Sequence, residues 1–342
     1  LIERGMSAEK TQKLWFLIEP FAAYGFNKSH AACYGRVAYQ TAYMKANFPG
    51  EYMSAVLTAE SGDMEKVAEI ITECVRMNIP VLSPDINESF GQFTLIKSPG
   101  GDKIRFGLSS VKNVGSNIIE GIIAEREPHG RFASLTDFAE RVRHKDFNKK
   151  SLESLIKCGA LDGLGERNQL LANLEIILEF NRETQKSQSG GQASLFSMAP
   201  EVQLASLRLQ PADPAEKRDR LQWERELLGL YVSEHPFQAY AEKFKSKNVL
   251  ALKDLTINMR NQKVSVGGLV SGIQKINTKS GEPMLFVKLE DLTSKTEVLV
   301  FPKTLARNPG VWQEEKILLV HGRVSDKDGA PKILCEEAVE VI

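Results

Sequence analysis

Val264-Ser-Val-Gly-Gly-Leu-Val-Ser-Gly-Ile-Gln-Lys-Ile276 alternates apolar with small or polar residues, which is the pattern of a β-strand with one buried face. Four further runs have the same period of two, at residues 284–290, 296–301, 316–324 and 332–341. A short helical pattern at 302–307 separates the third run from the fourth. We expect Gly267 and Gly268 to permit a bulge in the long first strand. Five strands with a helix after the third predict a small β-barrel of the oligonucleotide-binding (OB) type.

The residues before this barrel predict a mainly helical region. Residues 7–77 are mostly helical in pattern, with separate helices expected at 30–47 and 64–77. Short strands are expected at 93–96 and 104–106, and helices resume near Gly115. Ser, Gln, Gly and Pro dominate residues 181–214, which predicts a linker, and a helix follows over 213–230. The sequence therefore predicts a multidomain α+β protein.

Composition narrows the class of protein further. The chain has 342 residues, with 44 Lys and Arg against 44 Asp and Glu, so any site for a polyanion must come from local charge asymmetry. No uninterrupted apolar run approaches the roughly 18 residues that span a bilayer, which argues against a membrane protein. The four cysteines form no C-x-x-C pair, which is typical of free thiols in a reducing cytosol. Because the first residues contain no leader and no initiator Met, we expect a segment of a longer chain.

A glycine-centred pattern occurs twice in the middle of the chain. Residues 108–119, Leu-Ser-Ser-Val-Lys-Asn-Val-Gly-Ser-Asn-Ile-Ile, predict a helix, a tight turn at Val114-Gly115 and a second helix. A looser copy, with a helical run at 152–156 followed by Lys-Cys-Gly-Ala-Leu, places Gly159 in the same role 44 residues later. Such hairpins bring the backbone N–H groups of a helix N-terminus against phosphates without reading bases.

Local charge favours a nucleic-acid role for this pattern. Residues 103–157 contain eleven Lys and Arg against seven Asp and Glu, an excess of four that attracts a polyanion. The densest part is 144–150, which includes Lys149 and Lys150. An ordinary helical hairpin with a solvated basic face is the alternative, and it is favoured for either unit taken alone. The two units together favour DNA.

Two other clusters suggest ligand or partner binding. Asn27, Lys28, Ser29 and His30, followed by Tyr34 and Gln40, combine a cation, a hydroxyl and aromatic rings that can hold a triphosphate and stack on a base. A helix cap with a polar face is the alternative. Gln-Ala-Ser-Leu-Phe at 192–196 places an apolar pair in a polar linker, which is typical of a peptide that docks into a pocket on a partner. Packing of this segment against its own domain is the alternative.

The run that begins Tyr24-Gly-Phe-Asn-Lys-Ser-His-Ala-Ala-Cys-Tyr-Gly-Arg and continues to Pro49 closely resembles the fingers region of the bacterial DNA polymerase III α subunit family. Further matching pieces follow in that family's order: Pro-Asp-Ile-Asn-Glu-Ser at 84–89, Phe-Gly-Leu at 106–108, Lys-Asn-Val-Gly at 112–115, Cys-Gly-Ala-Leu-Asp at 158–162 and Leu-Gly-Leu-Tyr-Val-Ser-Glu-His-Pro at 228–236. The resemblance covers nearly the whole chain.

The resemblance implies roles for particular residues. It assigns binding of the incoming nucleotide to the fingers residues Asn27, Lys28, Ser29, His30, Tyr34 and Gln40. It assigns binding of duplex DNA to a tandem helix-hairpin-helix domain through Lys112, Val114, Gly115, Ser116, Lys149, Lys150 and Gly159. It assigns sliding-clamp binding to Gln192, Ser194, Leu195 and Phe196, with Ala193 where a larger aliphatic residue is common. It assigns backbone contacts with single strands to Lys275, Lys279 and Lys288 of the barrel, with Phe286 either a stacking residue or, as we expect, a core residue.

The same resemblance implies a domain order and a set of partners. We expect the end of the fingers at 1–100, the helix-hairpin-helix domain at 101–180, a linker with the clamp-binding peptide at 181–214, a helical connector at 215–250 and the OB-fold domain at 251–342. The expected partners are primer-template duplex, single-stranded template, the sliding clamp and other polymerase III holoenzyme subunits, in the cytoplasm.

The parent activity implied is template-directed DNA synthesis. The family's catalytic aspartates and their Mg²⁺ belong to a palm upstream of this segment, so we expect no catalytic residue, cofactor or metal site here and no activity of the segment alone. Two alternatives remain: a stand-alone hairpin and barrel protein of DNA repair, and a protein-interaction scaffold. Steep loss of DNA affinity with salt would argue against the scaffold.

Overall fold

The computed structural model describes residues 1–23, 28–189, 207–245, 249–278, 280–326 and 329–341. The described residues form two compact units. Residues 1–165 and 173–209 contribute to the first unit, whereas residues 166–172 and 210–342 contribute to the second.

The helices and strands of the described residues follow one another in this order. The helices are α1 (Ala8–Ala23), α2 (Lys28–Asn47), α3 (Pro49–Ala59), α4 (Met64–Arg76), α5 (Ser116–His129), α6 (Leu135–Arg141), α7 (Lys149–Lys157), α8 (Arg167–Ala172), α9 (Leu174–Ser189), α10 (Lys217–Leu228), α11 (Ala241–Lys245) and α12 (Pro302–Arg307). The strands are β1 (Val81–Leu82), β2 (Thr94–Ile96), β3 (Lys103–Arg105), β4 (Lys263–Asn277), β5 (Pro283–Glu290), β6 (Lys295–Val300), β7 (Ile317–Ser325) and β8 (Lys332–Glu340).

The first unit begins with four helices and a small sheet. The side chain of Asp63 caps α4 by accepting hydrogen bonds from the backbone N–H groups of Glu65 and Lys66. Strands β1, β2 and β3 form a sheet in the order β1-β3-β2, with β1 parallel to β3. The helices and short strands expected here from sequence are confirmed.

Helices α5, α6, α7 and α9 complete the first unit around an apolar core. The apolar face of α5 is buried through Ile118, Ile119 and Ile122, whereas Ile123 is only half-buried. Phe138 of α6 packs edge-on against Phe132 and Phe147. Buried Asn181 of α9 donates hydrogen bonds to the carbonyls of Ala139 (2.7 Å) and Val142 (2.9 Å), which fixes the end of α6.

The second unit contains the barrel that the sequence predicts. Five strands close in the order β4-β5-β6-β8-β7, with β6 parallel to β8 and the other pairs antiparallel. The helix expected after the third strand is α12. The core consists of inward residues of all five strands, closed at one end by Trp312 and Leu305. The predicted α+β architecture with an OB-type barrel is confirmed.

The expected position of the bulge in β4 is wrong. The register shift lies between Val270 and Gly272, not at Gly267 and Gly268, which pair regularly with Leu319 and Leu318. The two glycines are required by close packing instead. A Cβ at Gly267 would overlap the Phe244 ring, and a Cβ at Gly268 would lie 2.7 Å from Cγ of Leu289.

A buried ion pair joins α8 to α10 in the second unit. The guanidinium of Arg167 donates to Oε1 of Glu224 at 3.3 Å, and the two side chains are 3% and 0% exposed. The second carboxylate oxygen of Glu224 accepts from the N–H groups of Val232 and Ser233 and from the Ser233 hydroxyl. These bonds compensate the cost of burying the charges, and they explain the Val-Ser part of the 228–236 motif.

The rest of that motif attaches the helical connector to the barrel within the second unit. Nε2 of His235 lies 3.1 Å from a carboxylate oxygen of Glu290 on β5. Burial alone would raise the pKa of Glu290, but the hydrogen bond from His235 and the charge of Lys295 hold it below its ordinary range. Phe237 stacks on Phe244 beside the barrel.

Candidate nucleic-acid interface

The segment that leads into α5 is an exposed turn anchored by one buried side chain. Lys112, Asn113, Gly115 and Ser116 are exposed, whereas Val114 is buried. Asn113 has a φ of 68°, a left-handed conformation that turns the chain into Gly115, the N-cap of α5. No side chain of the described residues caps α5. The first N–H groups of this 14-residue helix therefore have no partner within the helix, at the end where its dipole favours an anion.

A close backbone approach positions this turn. A Cβ at Gly107 would lie 2.6 Å from the carbonyl oxygen of Gly91, so only glycine fits. The N–H groups of Leu108 and Ser109 donate to the carbonyls of Phe90 and Gly91, both at 2.9 Å. The first helix expected in this hairpin is only a 3₁₀ turn, Leu108–Ser110, in which the N–H of Val111 donates to the carbonyl of Leu108 at 3.1 Å.

The basic segment 144–150 contacts the start of α5. Nδ2 of Asn117, in the first turn of α5, donates to Oδ2 of Asp146 at 3.1 Å. Lys145 and Lys150 are exposed and form no ion pair within the part of the chain that the structure describes. Lys149 instead donates to Glu175 at 2.8 Å, and this hydrogen bond raises the pKa of Lys149. The exposed cations of the turn and of segment 144–150 that form no ion pair within the described ranges therefore include Lys112, Lys145 and Lys150.

The second glycine turn differs from the first. Gly159 is buried with a φ of 85°, and its N–H donates to the carbonyl of Ile156 while the N–H of Ala160 donates to Leu155. This pair of bonds is a Schellman cap that ends α7. Turns over residues 158–165 follow this cap and lead to α8, which begins at Arg167. Gly159 therefore differs from Gly115, because its N–H already ends a helix and is buried, and its expected contact with duplex DNA stays a prediction.

The barrel presents an exposed face on β4 and β5. Gln274 lies opposite Phe286 across the strand pair, and Lys288 follows on the same side. Phe286 is half-buried and stands on the outer face, because its neighbours Leu285 and Val287 point into the core. The expectation that Phe286 belongs to the core is wrong for this reason. Lys275 is exposed and lines a groove beside α12.

The fingers residues lie on α2. Ser29 and His30 are in its first turn, and the His30 ring lies 4.5 Å from the Tyr34 ring, centroid to centroid. Gln40 is also exposed. It follows Tyr34 by six residues, so its side chain leaves the helix about 120° away from that of Tyr34. The structure therefore brings His30 and Tyr34 together and leaves Gln40 apart from them.

Several predicted site residues lie outside the described residues. These are Asn27, Gln192, Ser194, Leu195, Phe196 and Lys279. Lys28 begins α2, but its side chain is not described.

Within the described ranges, no group of three or more His, Cys, Asp or Glu side chains could hold a metal ion. The described side chains thus do not fit the Mg²⁺ that the polymerase resemblance implies elsewhere, and we derive no metal-dependent step from them. The same ranges contain no helix long and apolar enough to cross a membrane.

Sequence reasoning missed two features of this interface. The contact between Asn117 and Asp146 joins residues 29 positions apart, and nothing local indicates it. Trp312 lies at one end of the barrel with a buried Nε1 that has no hydrogen-bond partner among the described residues. A tryptophan that follows Asn-Pro-Gly-Val at 308–311 could have drawn attention to this loop.

Comparison with known proteins agrees with this geometry. Residues 78–170 match a family described as a helix-hairpin-helix motif, and residues 264–341 match one described as an OB-fold nucleic acid binding domain. The first range contains the exposed turn at Gly115, and the second contains all five barrel strands from Val264 onward. The chain is thus of the class that combines a helix-hairpin-helix motif with an OB-fold domain.

Relatives that align with nearly the whole chain identify the family more specifically than the two domain matches do. The chain is 40% identical to the DNA polymerase III subunit alpha of Saccharopolyspora erythraea, over 99% of this chain and 29% of that protein. It is 40% identical to the Thermus aquaticus subunit over 94% of this chain and 26% of that protein. It is 34% identical to the Vibrio cholerae subunit over 99% of this chain and 29% of that protein. The chain belongs to the family of bacterial DNA polymerase III α subunits, and it spans less than a third of the length of these relatives.

Proposed function

We propose that this chain holds DNA for a bacterial DNA polymerase III α subunit during template-directed synthesis. It binds the primer-template duplex through the first unit and single-stranded template through the barrel. The observation that carries the proposal is the exposed, uncapped start of α5 at Gly115, which lies within the residues that match a helix-hairpin-helix motif.

Duplex binding at this turn uses the backbone rather than base edges. The N–H groups at the start of α5 donate to a phosphate oxygen, and the helix dipole favours its negative charge. Lys112, Lys145 and Lys150 add cations around this point. Because phosphates are the same at every step, such contacts hold a duplex of any sequence, which is what a replicative enzyme requires.

The barrel contributes a surface for unpaired bases. Phe286 offers an aromatic face on which a base can stack. Lys288 lies two residues further along β5, near enough to contact a phosphate of the same DNA strand. In the fingers, His30 and Tyr34 on α2 contact the incoming nucleotide together with Asn27, Lys28 and Ser29. As the resemblance implies, Mg²⁺ would be held by carboxylates of the family's palm, outside this segment, and would activate the triphosphate there, so we expect no activity of this chain alone.

The segment at 192–196 tethers the polymerase to its sliding clamp. Leu195 and Phe196 fill an apolar pocket on the clamp, and Gln192 and Ser194 add polar contacts, with Ala193 weakening the fit slightly. Tethering raises the local concentration of the polymerase at its template, so even a weak peptide contact prolongs synthesis. We place this function in the cytoplasm, among the other subunits of the holoenzyme.

The duplex proposal is tested by Gly115→Asp. A Cβ at Gly115 meets nothing within 4 Å, and Asp is slightly preferred over Gly as an N-cap, so this variant should fold and gain about a few tenths of a kcal/mol of stability. Its carboxylate occupies the N–H groups and repels phosphate, so we expect duplex affinity to fall about tenfold or more, measured by fluorescence anisotropy at several salt concentrations.

The matched control is Gly163→Asp, at another exposed glycine of the first unit whose Cβ meets nothing within 4 Å. Equal affinities of the two variants for duplex would refute binding at α5. Affinity that does not change with salt in the parent protein would instead favour the alternative of a protein-interaction scaffold.

The clamp proposal is tested by titrating the chain against a bacterial sliding clamp. We expect binding by the parent and its loss in the Leu195→Ala, Phe196→Ala double variant. A Ser197→Ala variant just outside the peptide serves as the control. Equal binding by the parent and the double variant, or none by either, would exclude the peptide.

A further inference from the structure

A groove at one end of the barrel is a candidate for a ligand site that lies apart from the outer face of β5. It has a volume of about 600 Å³ and lies between the ends of β4 and β5 and the helix α12. Its walls are mostly apolar and include Ile273, Leu285, Pro302, Leu305 and Trp312. A volume of this size is within the range of small-molecule sites.

The groove continues the interior of the barrel rather than its outer surface. Leu285 and Trp312 belong to the buried core, and Ile273 and Leu305 pack against it. Phe286, the next residue after Leu285, points to the opposite side of β5. A ligand in the groove therefore contacts residues that the outer face does not present.

Two polar features specify what the groove accepts. Trp312 is 7% exposed, and its buried Nε1, which can only donate, has no acceptor among the described residues. Lys275 on the rim is exposed and forms no ion pair within the described part of the chain. The other charged lining residue, Glu282, accepts a hydrogen bond from the Ser280 hydroxyl at 3.5 Å.

We propose that this groove binds one unstacked base of a single-stranded nucleic acid, with Lys275 contacting the adjoining phosphate. A base is flat and apolar on its faces and carries acceptors on its edge, so it suits apolar walls with one unpaired indole donor. A purely apolar side chain would leave Nε1 of Trp312 without an acceptor. All the lining residues lie within the range that matches an OB-fold nucleic acid binding domain.

This inference rests on the proposed binding of single strands by the barrel, and it adds a second contact to the outer face. Binding at the two places depends on different side chains, Phe286 on the outer face and Trp312 with Leu305 in the groove. The two contacts can therefore be removed separately.

The test compares two labelled oligodeoxythymidylates, one complete and one with abasic sites in its centre, by anisotropy at fixed salt. We expect the parent chain to bind the complete strand about tenfold more tightly, because each stacked base contributes on the order of one tenfold step. Ala306→Phe, at an exposed lining position on α12, fills the groove and should remove most of that preference while leaving the affinity for the abasic strand unchanged.

Two further variants define the contact. Ala306→Ser is the control for the position and should keep the preference of the parent. Trp312→Phe keeps an aromatic ring but removes the donor, and we expect it to lower the preference about threefold because one hydrogen bond to the base is lost. Thermal unfolding of each variant establishes that the barrel is intact.

The outcomes separate the groove from the barrel's general function. An unchanged preference in Ala306→Phe, with normal DNA binding, would overturn the groove proposal alone and would assign the groove to another occupant such as an apolar peptide. A loss of the preference only in Phe286→Ala would also overturn it. No binding of either strand by the parent would overturn the groove and the proposed barrel function together.

Discussion

The turns at Gly115 and Gly159 have similar sequences, yet their glycines occupy opposite ends of a helix. At Gly115 the glycine begins a helix, is exposed and leaves the N–H groups of α5 available. At Gly159 the glycine ends a helix, is buried and uses its N–H in the cap of α7. The comparison teaches that a glycine in a helical hairpin identifies a phosphate site only when its position relative to the helix is known.

The largest expected effect is on stability at the second turn. Gly159→Ala places a Cβ on a buried residue with a φ of 85°, which costs about 1–2 kcal/mol in the left-handed region. We expect the free energy of unfolding in urea to fall by that amount or more, and duplex affinity of the folded protein to stay unchanged.

Gly163→Ala is the control, because its Cβ has space in the folded chain. If Gly159→Ala kept its stability but lost duplex affinity, the second turn would be a phosphate site after all and the contrast would disappear.

The next effect distinguishes the lysines near the first turn. Lys145→Gln and Lys150→Gln each remove an exposed cation, so each should reduce the slope of log affinity against log salt by about 0.9 if that lysine contacts a phosphate. Lys149→Gln should change the slope less, because Lys149 is already paired with Glu175. Duplex titrations over a series of salt concentrations measure all three, and equal slopes throughout would contradict a phosphate surface here.

The smallest effect concerns pH and the loop beside the second turn. The N–H of Ile86 donates to the carbonyl of Ala160, so the loop at 84–89 supports the Gly159 turn. In that loop burial alone would raise the pKa of Glu88, but hydrogen bonds and charges from Arg105 and Arg131 hold it below its ordinary value of 4.5. The stability from this carboxylate is therefore present above pH 4.5 and is lost as the pH falls below it.

We expect the parent to lose up to about 1 kcal/mol more than Glu88→Gln between pH 6 and pH 3.5, because the carboxylate is partly exposed. Urea unfolding at both pH values measures this difference. An identical loss in the two proteins would show that Glu88 does not support the turn.

How much of this structure the sequence predicts depends on how local each feature is. The five barrel strands and α12 were predictable within one or two residues, because alternation of apolar residues is a local signal. The bulge was misplaced because the need for Gly267 and Gly268 comes from Phe244 and Leu289, which approach them only in the folded barrel.

The candidate site shows the same limit. The turn at Gly115 was predictable from its own residues, but its contact with Asp146 was not. The pattern around Gly159 does not say that its N–H caps the preceding helix, because that cap depends on the carbonyls of Leu155 and Ile156 in the folded chain. Whether Phe286 points into the core or outward depends on the register of β5. A shift of one residue in either direction would move its side chain to the opposite face of the strand.

The ion pair of Arg167 and Glu224 has a consequence for how this chain can change over generations. Arg167 lies among residues of the first unit in sequence, but it is buried in the second unit against a partner 57 residues away. A recombination that exchanged residues from 210 onward with a distant relative would bring in a new neighbour for Arg167. Unless that neighbour were again acidic, a guanidinium would be left buried without a counter-charge. Positions 167 and 224 must therefore be inherited together. The barrel cannot be exchanged between relatives independently of Arg167.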